Sequence, residues 1–598
     1  MTKIKIPILV QDPQLATVAG LAVAEGYYAQ EPDFTNGPAC ARVKIIDRNP
    51  DDQAFLPGAR YYPPPAKRRT GGYLTKDGKD IEQQVKLTIR SGDREAIESL
   101  LCTDEFIQVS VFSTVLKTLG LFEKKEIMGR QIGWAFGDQP LEVYPRARTG
   151  LNALYHRPSH NLRFFYQDYP PQASGAAPRR VYTCLSLDVI THETGHAILD
   201  GIEPALLDAI GPHPRALHEG LADLISVLIA FKSGTLSKFV LSHHYGSILE
   251  ATAFSDIAEL IGPLLNSGEA PLRAVINTVH LDPERPAGYA RPDQPYEVCL
   301  ALSGALYHIL QQHHKILKET LAETVYRSYP DPHFSASGQA LMDSARYLRS
   351  NIFRALDFLP PGEISLADYG RALCAVHYIS YPEDTLYRDW ICQEFFQRRM
   401  INDPGEIEFQ PPEQPAYTQP INKLFADDLV ARQFVEHNRA WIGIPDGQEF
   451  EVRPRLKAAP QGLRSYCILK VLWESQEPNQ MSSEFPAQRW IRVGSTVVFD
   501  WATGQVLARL SCAPPTPTLY PDPHIRQLAS QSYQRRQADT DCYLIWLKQN
   551  GMFRQRSLEQ RPLGLDELPS DEAVCAEFEG EAMHARGTGL GLHSPRPG

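Results

Sequence analysis

The stretch that decides the organisation of this chain is SLDVITHETGHAILDGIEPALLDAIGPHPRALHEGLADLISVLIAF, residues 186–231. It contains His192 and His196 four residues apart, which places both imidazoles on one face of a helix, where they can reach a single metal ion. Glu193 follows the first histidine directly and is placed to hold and deprotonate a metal-bound water. The pattern therefore predicts a catalytic metal site carried on a helix.

A third ligand is expected on a second helix, because a catalytic zinc ion takes three protein ligands and keeps one position open. Glu219, twenty-three residues after His196, is the candidate, and Asp223 shares its helix face one turn later. Asp223 is predicted to accept the outer N–H of a ligating histidine and so to fix its tautomer. The alternative is an amphipathic helix whose histidines are core or surface residues. The added Glu-x-x-x-Asp pattern favours the metal site.

The residues around the first motif favour a helix. Ser186 is a good N-cap, Asp188 lies in the first turn, and Leu187 begins an apolar face. Gly195 fits less well, since glycine costs about 1 kcal/mol relative to alanine in a helix interior. A small residue at this position would permit the close approach of a strand or a substrate.

The order His-Glu-x-x-His followed by Glu-x-x-x-Asp resembles the thermolysin-type gluzincins, a family of zinc metallopeptidases. The resemblance extends upstream to Asn152-Ala153-Leu154-Tyr155, which is similar to the family's edge segment that holds the substrate. Downstream, Leu272-Arg273 is similar to the segment whose arginine binds a substrate carbonyl, and Ser303-Gly304 with Tyr307 resembles the start of a late active-site helix. The resemblance covers residues 152–310.

This resemblance implies a zinc-dependent endopeptidase that hydrolyses a peptide or protein substrate. It also implies an α+β fold with a β-rich N-terminal lobe, a helical C-terminal lobe and the zinc helices between them. The implied site residues are the zinc ligands His192, His196 and Glu219, the general base Glu193, the ligand-orienting Asp223, and the substrate-contacting Asn152, Ala153 and Arg273.

The chain departs from the family at the donors that stabilise the oxyanion. The family supplies a histidine shortly before the late Ser-Gly and a tyrosine between the two zinc helices. Here Leu300 stands three residues before Ser303, and no tyrosine lies between His196 and Glu219. A donor beside the metal is still needed. Tyr296 is the best substitute and is assigned a catalytic role, with His280, His308 and His213 as poorer candidates.

Calcium binding stays open at this point. Asp188 matches one calcium ligand of the family, but residues 228–232 at the end of the second zinc helix contain no carboxylate. Calcium prefers carboxylate and carbonyl oxygens.

Composition along the chain predicts five segments. The stretch from Asp403 to Pro420 contains five prolines, which indicates a linker. The last residues of the sequence are rich in glycine, which indicates disorder. The segments are an N-terminal β-rich lobe with the substrate edge strand (1–180), the zinc helices and helical lobe (181–402), a Pro-rich linker (403–421), a small α+β domain of unknown role (422–568) and a disordered tail (569–598).

The overall composition favours a globular protein without a nucleic-acid partner. The 598 residues carry a formal net charge of −11, which argues against a nucleic-acid-binding surface, and no apolar run approaches a membrane span. Ten cysteines lie singly, which suggests reduced thiols, and the N-terminus reads as a strand and a turn. We expect a cytoplasmic protein, or one exported without a signal peptide, of open oligomeric state.

Three functions remain consistent with the sequence. The first is an active zinc endopeptidase, and the second is a pseudoenzyme whose cleft binds a peptide without cutting it. The third is a toxin-like effector in which the region after Asn422 delivers, inhibits or recognises. Retention of Glu193 argues against the second, because a purely structural zinc site has no use for that base. The endopeptidase is the favoured hypothesis.

Overall fold

The computed structural model describes the whole chain except residues 14–15, 17–19, 66–68, 170–178, 251, 258–272, 285–288, 480–486, 551–552, 557–573, 580–581, 588–589 and 592–598. The protein mixes helix and strand, with 46% of residues in helices and 19% in strands. This composition is compatible with the predicted α+β class.

The N-terminal region is built around a small sheet and one buried helix. Its elements are β1 (Thr2–Leu9), β2 (Ala24–Glu31), β3 (Val43–Ile45), β4 (Arg60–Tyr62), β5 (Gly72–Leu74), α1 (Ile81–Ser91), α2 (Arg94–Leu101), α3 (Asp104–Phe122), β6 (Leu141–Tyr144), β7 (Ala153–His156), β8 (Asn161–Phe164), β9 (Tyr166–Tyr169) and β10 (Arg179–Tyr182). The sheet has the order β3-β6-β8-β7, in which β7 runs antiparallel to β8.

Helix α3 is buried over most of its circumference. Among the described residues it is long and apolar enough to cross a membrane, yet 83% of its most apolar stretch is buried inside the protein. A helix that is hydrophobic all round is expected in the core of a large domain. The helices Pro212–Ala230 and Gly234–His243, taken together as one unit, also meet the criterion, although they are bent by 90° at the break between them.

The central region carries the two motif helices and a helical lobe. Its elements are α4 (Leu187–Ile202), α5 (Ala205–Asp208), α6 (Pro212–Ala230), α7 (Gly234–His243), β11 (Asp256–Ile257), β12 (Arg273–Ala274), β13 (His280–Leu281), β14 (Tyr289–Ala290), α8 (Pro295–Thr324), α9 (Pro332–Phe358), α10 (Leu366–Ser380) and α11 (Thr385–Gln397). Apolar spacing of three and four residues in the sequence predicts helices at 299–317, 335–358 and 365–379, which correspond to α8, α9 and α10. The same spacing predicts a helix over 239–261, but α7 ends at His243, because a left-handed turn at Tyr245 and Gly246 breaks it. Residues 251 and 258–261 of that prediction lie outside the described residues.

The C-terminal region is dominated by a long hairpin. Its elements are α12 (Ile421–Ala426), α13 (Asp428–His437), α14 (Arg439–Ile442), β15 (Glu451–Val452), β16 (Leu456–Ala458), β17 (Tyr466–Pro478), β18 (Gln488–Asp500), β19 (Val506–Ser511), α15 (Pro523–Gln549), β20 (Phe553–Arg556), β21 (Val574–Glu579), β22 (Ala582–Gly587) and β23 (Leu590–Gly591). Strands β17 and β18 pair over thirteen residues each.

The region predicted as a separate small domain packs directly on the motif helices. Residues from both parts belong to one continuous hydrophobic cluster. Lys470 of β17 forms a buried ion pair with Glu203 at the end of α4. Asp539 of α15 contacts His213 in the first turn of α6 at 3.1 Å. The C-terminal region therefore helps to hold the site.

The tail predicted to be disordered forms strands over part of its length. Strand β22 pairs in parallel with β18, β21 pairs with β22, and β23 pairs with β7. These strands lie within the segment 569–598 that composition predicts to be disordered. Strand β22 pairs with β18 and β23 pairs with β7, and both partners are far away in sequence.

Candidate metal centre

Helix α4 begins where the sequence predicts. The Ser186 hydroxyl caps it by accepting from the N–H of Val189 at 3.4 Å, and Asp12 accepts from the N–H of Leu187 at 3.0 Å. The side chain of Thr191 donates to the backbone and meets Ser226 of α6 at 2.9 Å. These contacts fix both the start of α4 and its orientation against α6.

Glycines allow the helices around the site to approach one another. A Cβ atom on Gly195 would lie 2.9 Å from Ile225 Cδ1 and 3.4 Å from Ala222 Cα, both on α6. A Cβ on Gly220 of α6 would lie 3.1 Å from the carbonyl oxygen of Cys299 on α8. The close approach expected at Gly195 is therefore made by the second motif helix rather than by a strand or a substrate.

The three predicted ligands meet at one point. Nε2 of His192 and Nε2 of His196 lie 3.0 Å apart, and the carboxylate oxygens of Glu219 lie 3.4 Å and 3.5 Å from them. Three atoms bound tetrahedrally at ~2.0–2.1 Å from one metal ion are about 3.3–3.4 Å from each other. Within the described part of the chain, these residues form the one His/Cys/Asp/Glu group that could hold a metal ion.

Asp223 lies behind the first ligand, as the sequence predicts. Its Oδ1 lies 2.9 Å from Nδ1 of His192. A carboxylate at this nitrogen keeps the proton on Nδ1 and leaves the Nε2 lone pair facing the metal position.

His218 is a further member of the site that the sequence analysis did not identify. Its Nδ1 lies 2.7 Å from Nδ1 of His196, and it is fully buried. Burial lowers the pKa of His218 to about 3, so this imidazole is neutral and its Nδ1 can accept the proton of His196. The signal in the sequence was a third histidine immediately before the candidate ligand Glu219.

The first motif helix is tied to strand β7. The Tyr155 hydroxyl donates to Asp200 Oδ2 at 2.7 Å, and Arg157 donates to the same oxygen at 2.8 Å. Arg157 also binds Asp208 of α5 at 2.6 Å. Burial raises the pKa of Asp200, while Arg157 and Tyr155 oppose that shift by donating to the carboxylate. Strand β7 and helix α4 are therefore held together.

The predicted substrate-binding residues stand at the start of β7. The Asn152 side chain accepts from the N–H of Ala153 at 2.9 Å, and the Asn152 carbonyl accepts from the N–H of Phe165 at 3.1 Å. Ala153 is buried in the sheet. The backbone of Arg273 belongs to β12, where it pairs with Ile257. Leu272 and the Arg273 side chain lie outside the described residues.

Tyr296 lies in the first turn of α8, one turn before Cys299, which packs against Gly220 beside the ligand Glu219. Two of the poorer donor candidates contact carboxylates. His308 contacts Glu394 at 2.6 Å, and His213 contacts Asp539 at 3.1 Å. His280 lies in β13. The role of oxyanion donor therefore stays a prediction for Tyr296.

Cations surround the end of α6, where the family resemblance left calcium open. Lys232 follows the helix, and its pKa is lowered to about 7, first by burial and then by the charge of Arg349. Arg349 is 1% exposed. Positive charge at this position disfavours a calcium ion.

No protein-family model matches this chain, and no curated protein gives a significant match. The function is therefore argued from the geometry of the site.

Proposed function

We propose that this protein is a zinc-dependent endopeptidase with a thermolysin-like arrangement of its site. The observation that carries the proposal is the triangle of ligand atoms on His192, His196 and Glu219, with separations of 3.0 to 3.5 Å. Two imidazoles and one carboxylate are the ligand set of catalytic zinc in hydrolases and leave a fourth position open.

A zinc ion bound here would polarise a water molecule and the carbonyl of the substrate. Glu193 stands three residues before His196 on the same helix, one turn away, and is fully buried. It accepts the proton of the attacking water and passes it to the leaving amine. Asp223 and His218 hold the two histidines in the tautomer that presents Nε2.

The remaining assignments rest on the family resemblance and on the place of Tyr296 in the first turn of α8. Tyr296 would donate a hydrogen bond to the oxyanion, and Arg273 would orient the substrate. Strand β7, with Asn152 and Ala153 at its start, binds the substrate backbone as an added strand. The tie between Tyr155 and Asp200 supports this assignment, because it fixes β7 to the helix that carries the histidine ligands.

A peptide-binding protein without catalysis is the second candidate. It is supported by Leu300, which stands where the family resemblance leads us to expect a histidine that donates to the oxyanion. The leucine side chain has no such donor, and the backbone carbonyl of Leu300 accepts from the side chain of Asn277 at 3.0 Å. Such a protein would bind zinc and peptide without turnover.

Cleavage of a diverse peptide library by the zinc-loaded chain tests these alternatives. The control is Glu193→Gln, which keeps the three ligands and removes the base. We expect cuts by the parent that fall by at least about a hundredfold in the variant, since a general base contributes roughly 10²–10⁴-fold. Zinc bound at about one ion per chain with no cleavage by either protein would favour the peptide-binding protein or a latent form of the peptidase.

A further inference from the structure

Strand β7 has both of its edges in use. One edge pairs with β8, and the other pairs with β23, the last described strand of the same chain. The pairing is antiparallel, with Leu590 opposite Tyr155 and Gly591 opposite Leu154. A free edge strand presents unpaired N–H and C=O groups that attract an extended peptide. Here β23 of the same chain fills that position.

The occupied edge lies beside the metal centre. Tyr155, one of the two residues that pair with β23, donates its hydroxyl proton to Asp200 on α4. The same helix carries His192 and His196. An extended segment added at this edge therefore runs beside the helix that supplies two ligands, where the proposed function requires the substrate.

The C-terminal region is anchored on the other side of the site as well. Asp539 of α15 contacts His213 in the first turn of α6 at 3.1 Å, and α6 carries Glu219. Strand β22 extends the large sheet at β18. The chain thus reaches the edge of β7 from an anchored base rather than as a free end.

The site itself is closed to solvent. His192, Glu193, His196 and Glu219 are each 0% exposed, and Asp223 is 1% exposed. A hydrolytic metal site needs an open position that a substrate can reach. Full burial of the base and all three ligands, together with an occupied edge strand, describes a resting form of the proposed enzyme.

We propose that strands β21, β22 and β23 form a built-in inhibitory segment, with β23 occupying the place of the substrate on β7. This inference rests on the proposed peptidase function and names the regulation of that same site.

The test uses the full-length zinc-loaded chain and the substitution Leu590→Pro. Proline removes the backbone N–H and restricts the backbone, which disfavours pairing. Ser594→Pro is the matched control, four residues further along the tail. The measurements are cleavage of a quenched peptide library, hydrogen exchange of the amides of Leu154 and Tyr155, and the rate of zinc removal by a chelator.

We expect Leu590→Pro to raise the cleavage rate about tenfold, which corresponds to about 1.4 kcal/mol. Exchange at residues 154–155 and zinc removal should accelerate by a similar factor, while Ser594→Pro behaves as the parent. Exchange and zinc removal do not depend on catalysis. If both accelerate without any cleavage, the covering segment is supported and the peptidase fails. If exchange, zinc removal and cleavage are all unchanged in Leu590→Pro, the inhibitory segment is refuted. A second variant, Gly591→Pro, must give the same result.

Discussion

Replacing His218 tests whether the contact seen only in the tertiary structure contributes to metal binding. The perturbation is His218→Leu, which removes the imidazole whose Nδ1 lies 2.7 Å from Nδ1 of His196. His196 then loses the acceptor that fixes its tautomer, and part of its population carries the proton on Nε2, which cannot bind a metal. Loss of such a partner costs about 10–100-fold in metal affinity, or roughly 1.4–2.7 kcal/mol.

The assay is competition for zinc against a chromogenic chelator at pH 7.5, with thermal unfolding of the metal-free and zinc-loaded forms. Because His218 is fully buried and neutral, a leucine of similar size should leave the metal-free Tm unchanged or raised. The Tm increment produced by zinc should shrink. His218→Asn, which offers an amide oxygen to His196, should recover part of the affinity.

His314→Leu is the matched control. This histidine is also buried, with its pKa lowered to about 4 by burial, but it faces Ser337 of α9 rather than the metal centre. It should leave the zinc affinity at the parent value. An unchanged zinc Kd in His218→Leu, with the metal-free protein still folded, would refute the positioning role of His218.

Three further predictions concern stability, each measured by thermal or urea unfolding of the full chain. Gly195→Ala should cost little stability, because a Cβ there meets the end of a side chain. Gly201→Ala should cost about 2–3 kcal/mol, since its Cβ would lie 2.1 Å from a backbone carbonyl oxygen. Equal losses of stability in the two variants would contradict this difference in packing. Lys232→Met should raise Tm by roughly 2 °C at pH 7. The pKa of Lys232 is about 7 in the folded chain against a reference value of 10.5, so the unfolded chain binds more protons between these two pH values. Wild-type stability therefore falls as the pH drops from 10.5 to 7, and the Tm gain of Lys232→Met should fade by pH 10.5. Glu477→Gln should cost about 3–5 kcal/mol of stability, because the buried guanidinium groups of Arg536 and Arg489 lose their partner. Burial alone would raise the pKa of Glu477, but both arginines lower it to about 2. The wild-type ion pairs therefore stabilise the fold above pH 4.5, and this stabilisation is lost as the pH falls toward 2.

The sequence alone determined the local part of the site. Four-residue spacing places His192 and His196 on one helix face whatever surrounds the helix, and a serine cap with a first-turn acid marks where that helix begins. The same reasoning located Glu219 and Asp223 on a second helix, and the structure brings all four together at the distances quoted above. It also found most of the long helices, since their apolar period repeats over many turns.

Only the tertiary structure decided the contacts between segments far apart in sequence. The tilt of α6 against α4 sets His218 on His196, and helix periodicity does not specify that tilt. Three contacts join residues that no local pattern relates. They are the packing of Gly195 against α6, the hydrogen bond from Tyr155 to Asp200, and the pairing of β23 with β7. Hydrogen-bond partners across a sheet edge are chosen by the assembled core, so a glycine-rich tail that reads as disordered can form a strand once an edge is available.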